Sequence, residues 1–334
     1  MIKRFLKKTT KPRQPTIKDP IDILKSYNVW RKDEWQRYAM TVSCRDTDYI
    51  PKVKEAGKLN IVDGQEVQIM HNGVKVINGG YHGEWMSKII NDLKGHHEPQ
   101  EEKLFYEITK RLDKSPIIIE LGSFWSYYSI WIVTEFEQAR AIACEPDPTN
   151  MKIGQNNAHI NKVEDMISFI DAAAGSVNNK KIRFTLDSDQ SQKITTKIRT
   201  VDSLTNQYGL NKVDILHMDV QGVELDALEG ALNTIKAGKV RFVFVSTHHY
   251  FFSGDPMTHQ KCKNFLIDNG ATIIASHNVL ESFSGDGLIV ASFDERDRSL
   301  KIDVSLNHSD DSLFRAYEED LSILIDEIRQ KAKL

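Results

Sequence analysis

The sequence predicts an α/β protein built on an open, mostly parallel sheet. An apolar run at residues 117–121 contains Glu120 and leads into Gly122, and a second run at residues 141–144 leads into Glu145. A helical segment between the two runs completes a strand–helix–strand unit. Ligands of such sheets lie across the carboxyl ends of the strands, so Glu120, Gly122 and Glu145 are expected at a ligand site.

Five further strand patterns complete a predicted sheet of seven strands. They lie at residues 166–174, 213–219, 240–246, 271–275 and 288–293, with a hairpin at residues 182–186 and 194–200. The connection between the last two strands, residues 276–287, is too short for a crossover helix. The final strand is therefore predicted to be antiparallel.

The loop after the first strand indicates the kind of cofactor. A dinucleotide site needs several glycines so that the backbone can close on a pyrophosphate, but Gly122 is followed by Ser-Phe-Trp-Ser at residues 123–126. This favours a nucleoside cofactor without phosphates, its ribose held by Glu145, and S-adenosylmethionine (SAM) fits that description. Together with the antiparallel last strand, it predicts a class I SAM-methyltransferase (Rossmann-like) fold. The predicted cofactor-binding residues are Gln100, Glu120, Gly122, Ser123, Glu145, Asp171, Ala172 and Asp219.

The chain divides into four predicted regions. Residues 1–18 are a basic, mobile terminus, for which weak association with an anionic membrane is the less favoured alternative. Residues 19–95 form an accessory region with a β-hairpin around Asn72-Gly73 and no chemical motif before Asp63. Residues 96–295 form the methyltransferase domain. Residues 296–334 are a C-terminal helical extension that packs on the body or makes a homo-oligomer contact.

Composition narrows the functional classes. With 40% hydrophobic and 27% charged residues the chain is an ordinary soluble protein, and a net charge of -3 gives no reason to expect nucleic-acid binding. Three scattered cysteines favour a reducing compartment. There is no transmembrane run and no secretory signal, so a cytoplasmic location is predicted.

Several short motifs together point to a family. They are Glu-Leu-Gly at residues 120–122, Glu-Pro-Asp-Pro at 145–148, Asn-Asn at 156–157, Asp-Val-Gln-Gly-Val-Glu at 219–224 and Leu-Glu-Gly-Ala at 228–231. Over approximately residues 98–293 this order resembles the FkbM family of SAM-dependent methyltransferases. Gln221 stands where the family commonly has Glu, and Ser126 replaces a second glycine, which indicates a subgroup. The resemblance implies O-methylation of sugar hydroxyls on polysaccharides or glycosylated small molecules.

Methyl transfer to a hydroxyl requires removal of the acceptor's proton. Asp219 ends the fourth strand and His248 and His249 follow the fifth, so these three are the predicted catalytic residues, with one histidine as the base. A Mg²⁺ ion held by carboxylates from Asp219, Glu281 and Asp286 would lower the acceptor's pKa, although the loop that carries Glu281 and Asp286 is equally well explained as a polar turn.

The sequence is also compatible with two other functions. One keeps the cofactor and changes the acceptor to an amine or a nonsugar hydroxyl. The other is a noncatalytic scaffold that binds SAM or glycan within a glycan-synthesising assembly. The joint presence of Glu120, Gly122, Glu145 and Asp219 argues against the scaffold, because a scaffold would not require all four.

Overall fold

The computed structural model describes residues 32–307, apart from residues 187 and 190. The predicted basic terminus, residues 1–18, and the helix predicted from Ser309 lie outside these residues. Within the described part of the chain, no helix is both long enough and apolar enough to cross a bilayer. The cytoplasmic location stays a prediction.

The N-terminal region is a helix followed by a three-stranded antiparallel sheet. Its elements are α1 (Lys32–Ser43), β1 (Leu59–Val62), β2 (Gln65–Ile69) and β3 (Lys75–Ile77). The predicted hairpin is confirmed, since β2 and β3 pair with Val67 opposite Ile77. Its turn needs Gly73, whose φ is +91°. The sequence did not predict β1, which is only four residues long and largely exposed.

Two amphipathic helices, α2 (Glu84–Asp92) and α3 (Pro99–Thr109), connect this region to the main sheet, and both were predicted. Gly95, after α2, has φ +90°, and a Cβ there would lie 2.2 Å from the backbone nitrogen of His71. That nitrogen donates to the Gly95 carbonyl at 2.9 Å. The glycine therefore lets the end of α2 approach the hairpin.

The first half of the main sheet is a run of parallel strands with connecting helices. The elements are β4 (Ile117–Leu121), α4 (Tyr127–Glu135), β5 (Arg140–Cys144), α5 (Pro148–Ile160) and β6 (Ile167–Ile170). β5 pairs in parallel with β4 and with β6. The Asp147 side chain caps α5 by accepting from the backbone nitrogens of Thr149 and Asn150, and Pro148 starts the helix.

The segment after β6 leaves the main sheet. It forms β7 (Ala173–Ala174), which pairs with β9 in a small sheet of β7, β8 (Lys181–Thr185) and β9 (Lys193–Arg199), followed by α6 (Val201–Gln207). The β8–β9 hairpin was predicted. The prediction of a single strand over residues 166–174 was wrong in its second half. Ala173 pairs with Ile198 in the small sheet and does not continue the main sheet.

The second half of the sheet contains the antiparallel strand that distinguishes the methyltransferase fold from the dehydrogenase fold. Its elements are β10 (Val213–Asp219), α7 (Glu224–Glu229), α8 (Leu232–Lys236), β11 (Val240–Thr247), α9 (Tyr250–Ser253), α10 (Thr258–Asp268), β12 (Thr272–His277) and β13 (Gly287–Ser292). The strand order is β12-β13-β11-β10-β4-β5-β6. β13 is antiparallel to both of its neighbours, as predicted from the short preceding connection. The predicted seven-stranded class I methyltransferase arrangement is confirmed.

The central strands are buried on both faces, which explains their continuous apolar sequence. One core cluster lies against α3 and α4, and the other lies against α7, α8 and α10. The carboxyl ends of β4, β5, β10 and β11 consequently meet at one edge of the sheet.

Candidate active site

A cavity of about 1080 Å³ lies at that edge of the sheet. Its lining comes from the strand ends and also from the N-terminal region. The residues that line it include Arg37, Tyr81, His82, Trp85, His97, Glu98, Glu101, Glu120, Gly122, Ser123, Trp125, Tyr128, Glu145, His217, Asp219, His248 and Asp286. Ligand cavities commonly have volumes of about 300–1,000 Å³. The cavity therefore has room for a nucleoside cofactor beside an acceptor.

The loop after β4 is held at the point where two strands nearly touch. Gly122 has φ +73°, and a Cβ there would lie 1.8 Å from the backbone oxygen of Asp219. The backbone nitrogens of Gly122 and Ser123 both donate to the Cys144 carbonyl, at 2.8 and 2.9 Å. Ser126 adopts φ +58° where the family commonly has a second glycine. The loop thus has left-handed backbone at that position without a glycine.

Glu145 stands at the end of β5 and faces the cavity. Its two carboxylate oxygens accept from the backbone nitrogens of Phe124, at 2.9 Å, and Asp147, at 2.8 Å. These bonds fix the carboxylate beside the loop after β4, where a ribose with two hydroxyl donors is expected.

Glu145→Ala is expected to raise the dissociation constant of SAM by about tenfold to a hundredfold, because hydrogen bonds to a charged group are lost. Calorimetric titration would measure the change, with the melting temperature reporting on the fold. A folded variant with the wild-type dissociation constant would contradict the assignment.

Three predicted cofactor residues lie away from the cavity. Asp171 is exposed and Ala172 is buried beneath the surface, and the cavity is lined instead by residues 173–176. Gln100 has its amide fully engaged, since it donates to the carbonyls of Glu281 (3.1 Å) and Ser305 (2.7 Å) and accepts from the Phe283 nitrogen (2.8 Å). Gln100 therefore ties the loop before β13 to α3 rather than facing a ligand.

His248 is the histidine of the adjacent pair that faces the cavity. Its Nδ1 donates to Glu224 Oε1 at 2.6 Å, which fixes the orientation of the ring. Its Nε2 lies 3.2 Å from Asp219 Oδ1 and 3.7 Å from Asp286 Oδ1. Neither contact is an aligned hydrogen bond, so Nε2 has no hydrogen-bond partner among the described residues and lies beside two carboxylates that line the cavity.

The same carboxylates control the protonation of His248. Burial lowers the pKa of this imidazole, but the charge of Asp286 and the contacts with Asp219 and Glu224 outweigh burial and raise the pKa well above its ordinary value. His248 is therefore an imidazolium at neutral pH when no ligand is present, and it becomes a proton acceptor as the pH rises.

His249 points elsewhere, because successive residues at a strand end project to opposite sides. Its side chain caps α9 by accepting from the Phe251 nitrogen at 3.3 Å, and its ring packs against Tyr250. The structure thus brings Asp219 and His248 together and leaves His249 outside the cavity.

The predicted metal ligands are only partly brought together. Asp219 and Asp286 both face the cavity beside His248. Glu281 instead completes a capping box, its Oε2 accepting from the Asn278 nitrogen at 2.9 Å. Glu281 is therefore withdrawn from the ligand set, because its carboxylate is used by its own turn.

The N-terminal region contributes a wall that the sequence did not indicate. Arg37, on α1, lies 3.3 Å from Asp286 and 5.7 Å from the Trp85 ring centre. Tyr81 stacks on Trp125 with ring centres 4.3 Å apart and planes 5° apart. No motif surrounds Arg37 in the sequence. An arginine within an amphipathic helix carries no signal that separates it from a solvated one.

A second buried group of titratable residues lies beneath this wall. His96 Nδ1 lies 2.5 Å from Glu102, whose other oxygen lies 2.7 Å from His97 Nδ1, and His71 Nδ1 lies 3.7 Å from Glu102. The ligand atoms of His71, His96 and Glu102 are close enough together for a cation. The His71 and His96 rings, however, are stacked 4.2 Å apart and 19° from parallel. Two such rings cannot both direct in-plane lone pairs at one ion, so the group is a buried hydrogen-bond network.

Three observations fit the cavity to SAM. The loop at Gly122 approaches β10 too closely for any side chain, the buried Ser123 hydroxyl has no hydrogen-bond partner among the described residues, and Glu145 presents a carboxylate where the ribose is expected. Together with the sheet order, these features define a SAM-dependent methyltransferase.

Comparison with known proteins identifies the domain. Residues 116–273 match the model of the methyltransferase FkbM domain, which confirms the predicted resemblance. No curated protein matches the chain significantly.

Similar solved structures include the METTL16 methyltransferase domain, with 13% identity over 69% of this chain and 87% of that chain and a TM-score of 0.41. They also include M. capricolum TrmK in complex with S-adenosylhomocysteine, with 14% identity over 69% and 84% and a TM-score of 0.36. These distant similarities give no information about the methyl acceptor of this protein.

Proposed function

We propose that the protein transfers a methyl group from SAM to a sugar hydroxyl, with His248 Nε2 as the proton acceptor. SAM supplies an electrophilic methyl group. The acceptor oxygen forms the new C–O bond as the C–S bond breaks, and its proton passes to His248. The observation that carries the proposal is the placement of His248 in the cavity lining, with Nδ1 held by Glu224 at 2.6 Å and Nε2 left without a hydrogen-bond partner among the described residues.

The wall opposite the strand ends supports a sugar as the acceptor. Tyr81, Trp85 and Trp125 offer aromatic faces to the apolar C–H face of a sugar ring, and Tyr81 also carries a hydroxyl. Arg37 and Asp286, paired at 3.3 Å, add a donor and an acceptor for hydroxyl groups. A surface that combines aromatic faces with fixed polar groups suits a polyhydroxylated ring.

The alternative, an amine acceptor, draws support from the carboxylates around the cavity. An amine must also lose a proton before it attacks, and Asp219 and Asp286 beside His248 would favour its charged form. That form does not react, so the same carboxylates that attract an amine would slow its methylation.

A divalent cation is a secondary part of the proposal, with Asp219 and Asp286 as its protein ligands. Mg²⁺ accepts one or two carboxylates when water and substrate supply the remaining oxygens. Bound there, it would lower the acceptor's pKa. Arg37 would compete with the cation for Asp286, since its guanidinium lies 3.3 Å from that carboxylate.

A panel of acceptors tests the proposed function. Free sugars, nucleotide sugars, glycosylated small molecules and amines would be incubated with SAM labelled with ¹³C in the methyl group. The product signal separates O-methyl from N-methyl groups. Transfer to sugars supports the proposal, and transfer confined to amines would replace it with the alternative. The same reactions after exhaustive chelation decide the cation, which is dropped if turnover is unchanged.

Asp286→Asn is expected to move the acid limb of the pH dependence of kcat/KM to lower pH, by on the order of one unit. Catalysis requires the neutral imidazole, so the rate rises as the pH passes through the pKa of His248. Asp286 is the strongest of the groups that raise that pKa, and removing its charge lowers it. A profile measured from pH 6 to 10 that stays in place, or moves to higher pH, would contradict this control of His248.

A further inference from the structure

One part of the cavity holds two buried polar side chains that lack protein hydrogen bonds. The Tyr128 hydroxyl, on a residue 4% exposed, has no hydrogen-bond partner in the described part of the chain. The Glu98 carboxylate, on a residue 8% exposed, accepts no hydrogen bond from the described residues, and its nearest cation is His97 Nε2 at 3.5 Å. Both residues line the cavity. Buried polar groups without partners imply a ligand with complementary chemistry.

The neighbouring carboxylates are already engaged. Glu101 lies 2.6 Å from His217 Nε2, and it accepts from the Ser246 hydroxyl at 3.1 Å. Glu120 accepts from the Ser129 nitrogen at 2.9 Å. Both oxygens of Glu101 and one oxygen of Glu120 are thus engaged, whereas Glu98 accepts no hydrogen bond from the described residues and has the greatest capacity for a cationic donor.

The other residues of the cavity limit which cationic group of a ligand can bind to Glu98. Glu145 lies where the ribose is expected, and Asp219 and His248 lie where methyl transfer is proposed. The remaining substituent on the sulfur of SAM is the amino-acid tail, which carries an ammonium group. Tyr128 lies in the first turn of α4, directly after the loop at Gly122, and Glu98 precedes α3. Burial and the charges of Glu101 and Glu98 raise the pKa of the Tyr128 hydroxyl, so Glu98 and Tyr128 lie near each other in the cavity that both line.

We propose that Glu98 and Tyr128 form the subsite for the ammonium group of the amino-acid tail of SAM. Glu98 supplies the charge and an acceptor oxygen, and the Tyr128 hydroxyl supplies a second acceptor. This inference rests on SAM binding alone, so it is independent of the acceptor proposed above.

The charge environment of Glu98 agrees with this assignment. Burial raises the pKa of Glu98 to about 8, with Glu101 and Asp219 adding to the rise and His97 and Arg37 opposing it. The carboxyl group is then largely protonated at pH 7 without a ligand. An ammonium group favours the ionised form, so binding should release a proton.

Calorimetry with two ligands tests the subsite. S-adenosylhomocysteine has the amino-acid tail, and 5′-methylthioadenosine has the same nucleoside and sulfur without it. Glu98→Gln should raise the dissociation constant of S-adenosylhomocysteine about 10- to 100-fold and leave that of 5′-methylthioadenosine within about twofold. Tyr128→Phe should show the same selectivity with a smaller change. Glu107→Gln, on the same helix and outside the cavity, should change neither.

Proton release gives a second readout. Titrations at pH 7 in buffers of different ionisation enthalpy should show release when S-adenosylhomocysteine binds to the wild type. Release should be absent with 5′-methylthioadenosine and in Glu98→Gln. Equal weakening of both ligands in Glu98→Gln, or an unchanged dissociation constant for S-adenosylhomocysteine, overturns the proposal. Retained 5′-methylthioadenosine binding shows that the variant is folded.

Discussion

Turnover of His248→Ala is expected to fall by about 10²- to 10⁴-fold, the usual contribution of a positioned general base. The ring lies in the cavity lining directly after β11, with Nδ1 bound to Glu224 and Nε2 without a hydrogen-bond partner among the described residues. Alanine leaves no group in that position to take the acceptor's proton. Single-turnover rates with saturating SAM and acceptor would measure the loss, and calorimetry should find SAM binding within a fewfold of the wild type.

His249→Asn is the matched control for this variant. His249 caps α9 and does not line the cavity, and asparagine keeps a side-chain acceptor for the helix terminus. We expect its turnover to stay near the wild-type value. If His248→Ala also kept wild-type turnover, His248 would not be the base, and Asp219 or Asp286 would be the next candidates.

Gly122→Ala is expected to abolish measurable SAM binding and to lower the melting temperature. The substitution puts a side chain at φ +73°, and its Cβ would lie 1.8 Å from the Asp219 carbonyl. The left-handed backbone alone costs about 1–2 kcal/mol. Relief of the clash must separate the end of β4 from the end of β10, which displaces the cofactor loop from Asp219. Displacements of about 1 Å in such sites cost on the order of a hundredfold in function.

Gly209→Ala separates these two effects. Gly209 has φ +59° with nothing within 4 Å of an added Cβ, so this variant carries the backbone strain without the clash. It should lose a little stability and bind SAM normally. Equal loss of stability in the two variants, with SAM binding retained in both, would show that the close approach of β4 and β10 is not required.

The pH dependence and the subsite at Glu98 both depend on charges that the fold gathers from distant segments. His248 is controlled by Asp219, Glu224 and Asp286, and Glu98 by residues on α1, α3 and β10. None of these groupings follows from spacing along the chain.

The predicted site residues also fall into those that follow from local sequence patterns and those that depend on the tertiary structure. Glu120, Gly122, Ser123, Glu145 and Asp219 follow from a general rule, because residues at the carboxyl ends of parallel strands meet at one edge. These residues all line the cavity. Gln100 and Glu281 were placed there from their polarity alone, and both instead satisfy backbone groups of the loop before β13. A polar residue near a site is as readily used by the backbone as by a ligand.

What the sequence determined by itself was the sheet, its antiparallel last strand and the family of the domain. Those features depend on local patterns such as apolar runs, glycine turns and the length of the connection before β13. Only the tertiary structure decided which of His248 and His249 faces the cavity, that Arg37 reaches Asp286, that the Tyr128 hydroxyl finds no hydrogen-bond partner among the described residues, and that the Glu98 carboxylate contacts only His97 there. The physical reason is that side-chain direction and burial depend on contacts between segments far apart in the chain, and a single sequence does not record those contacts.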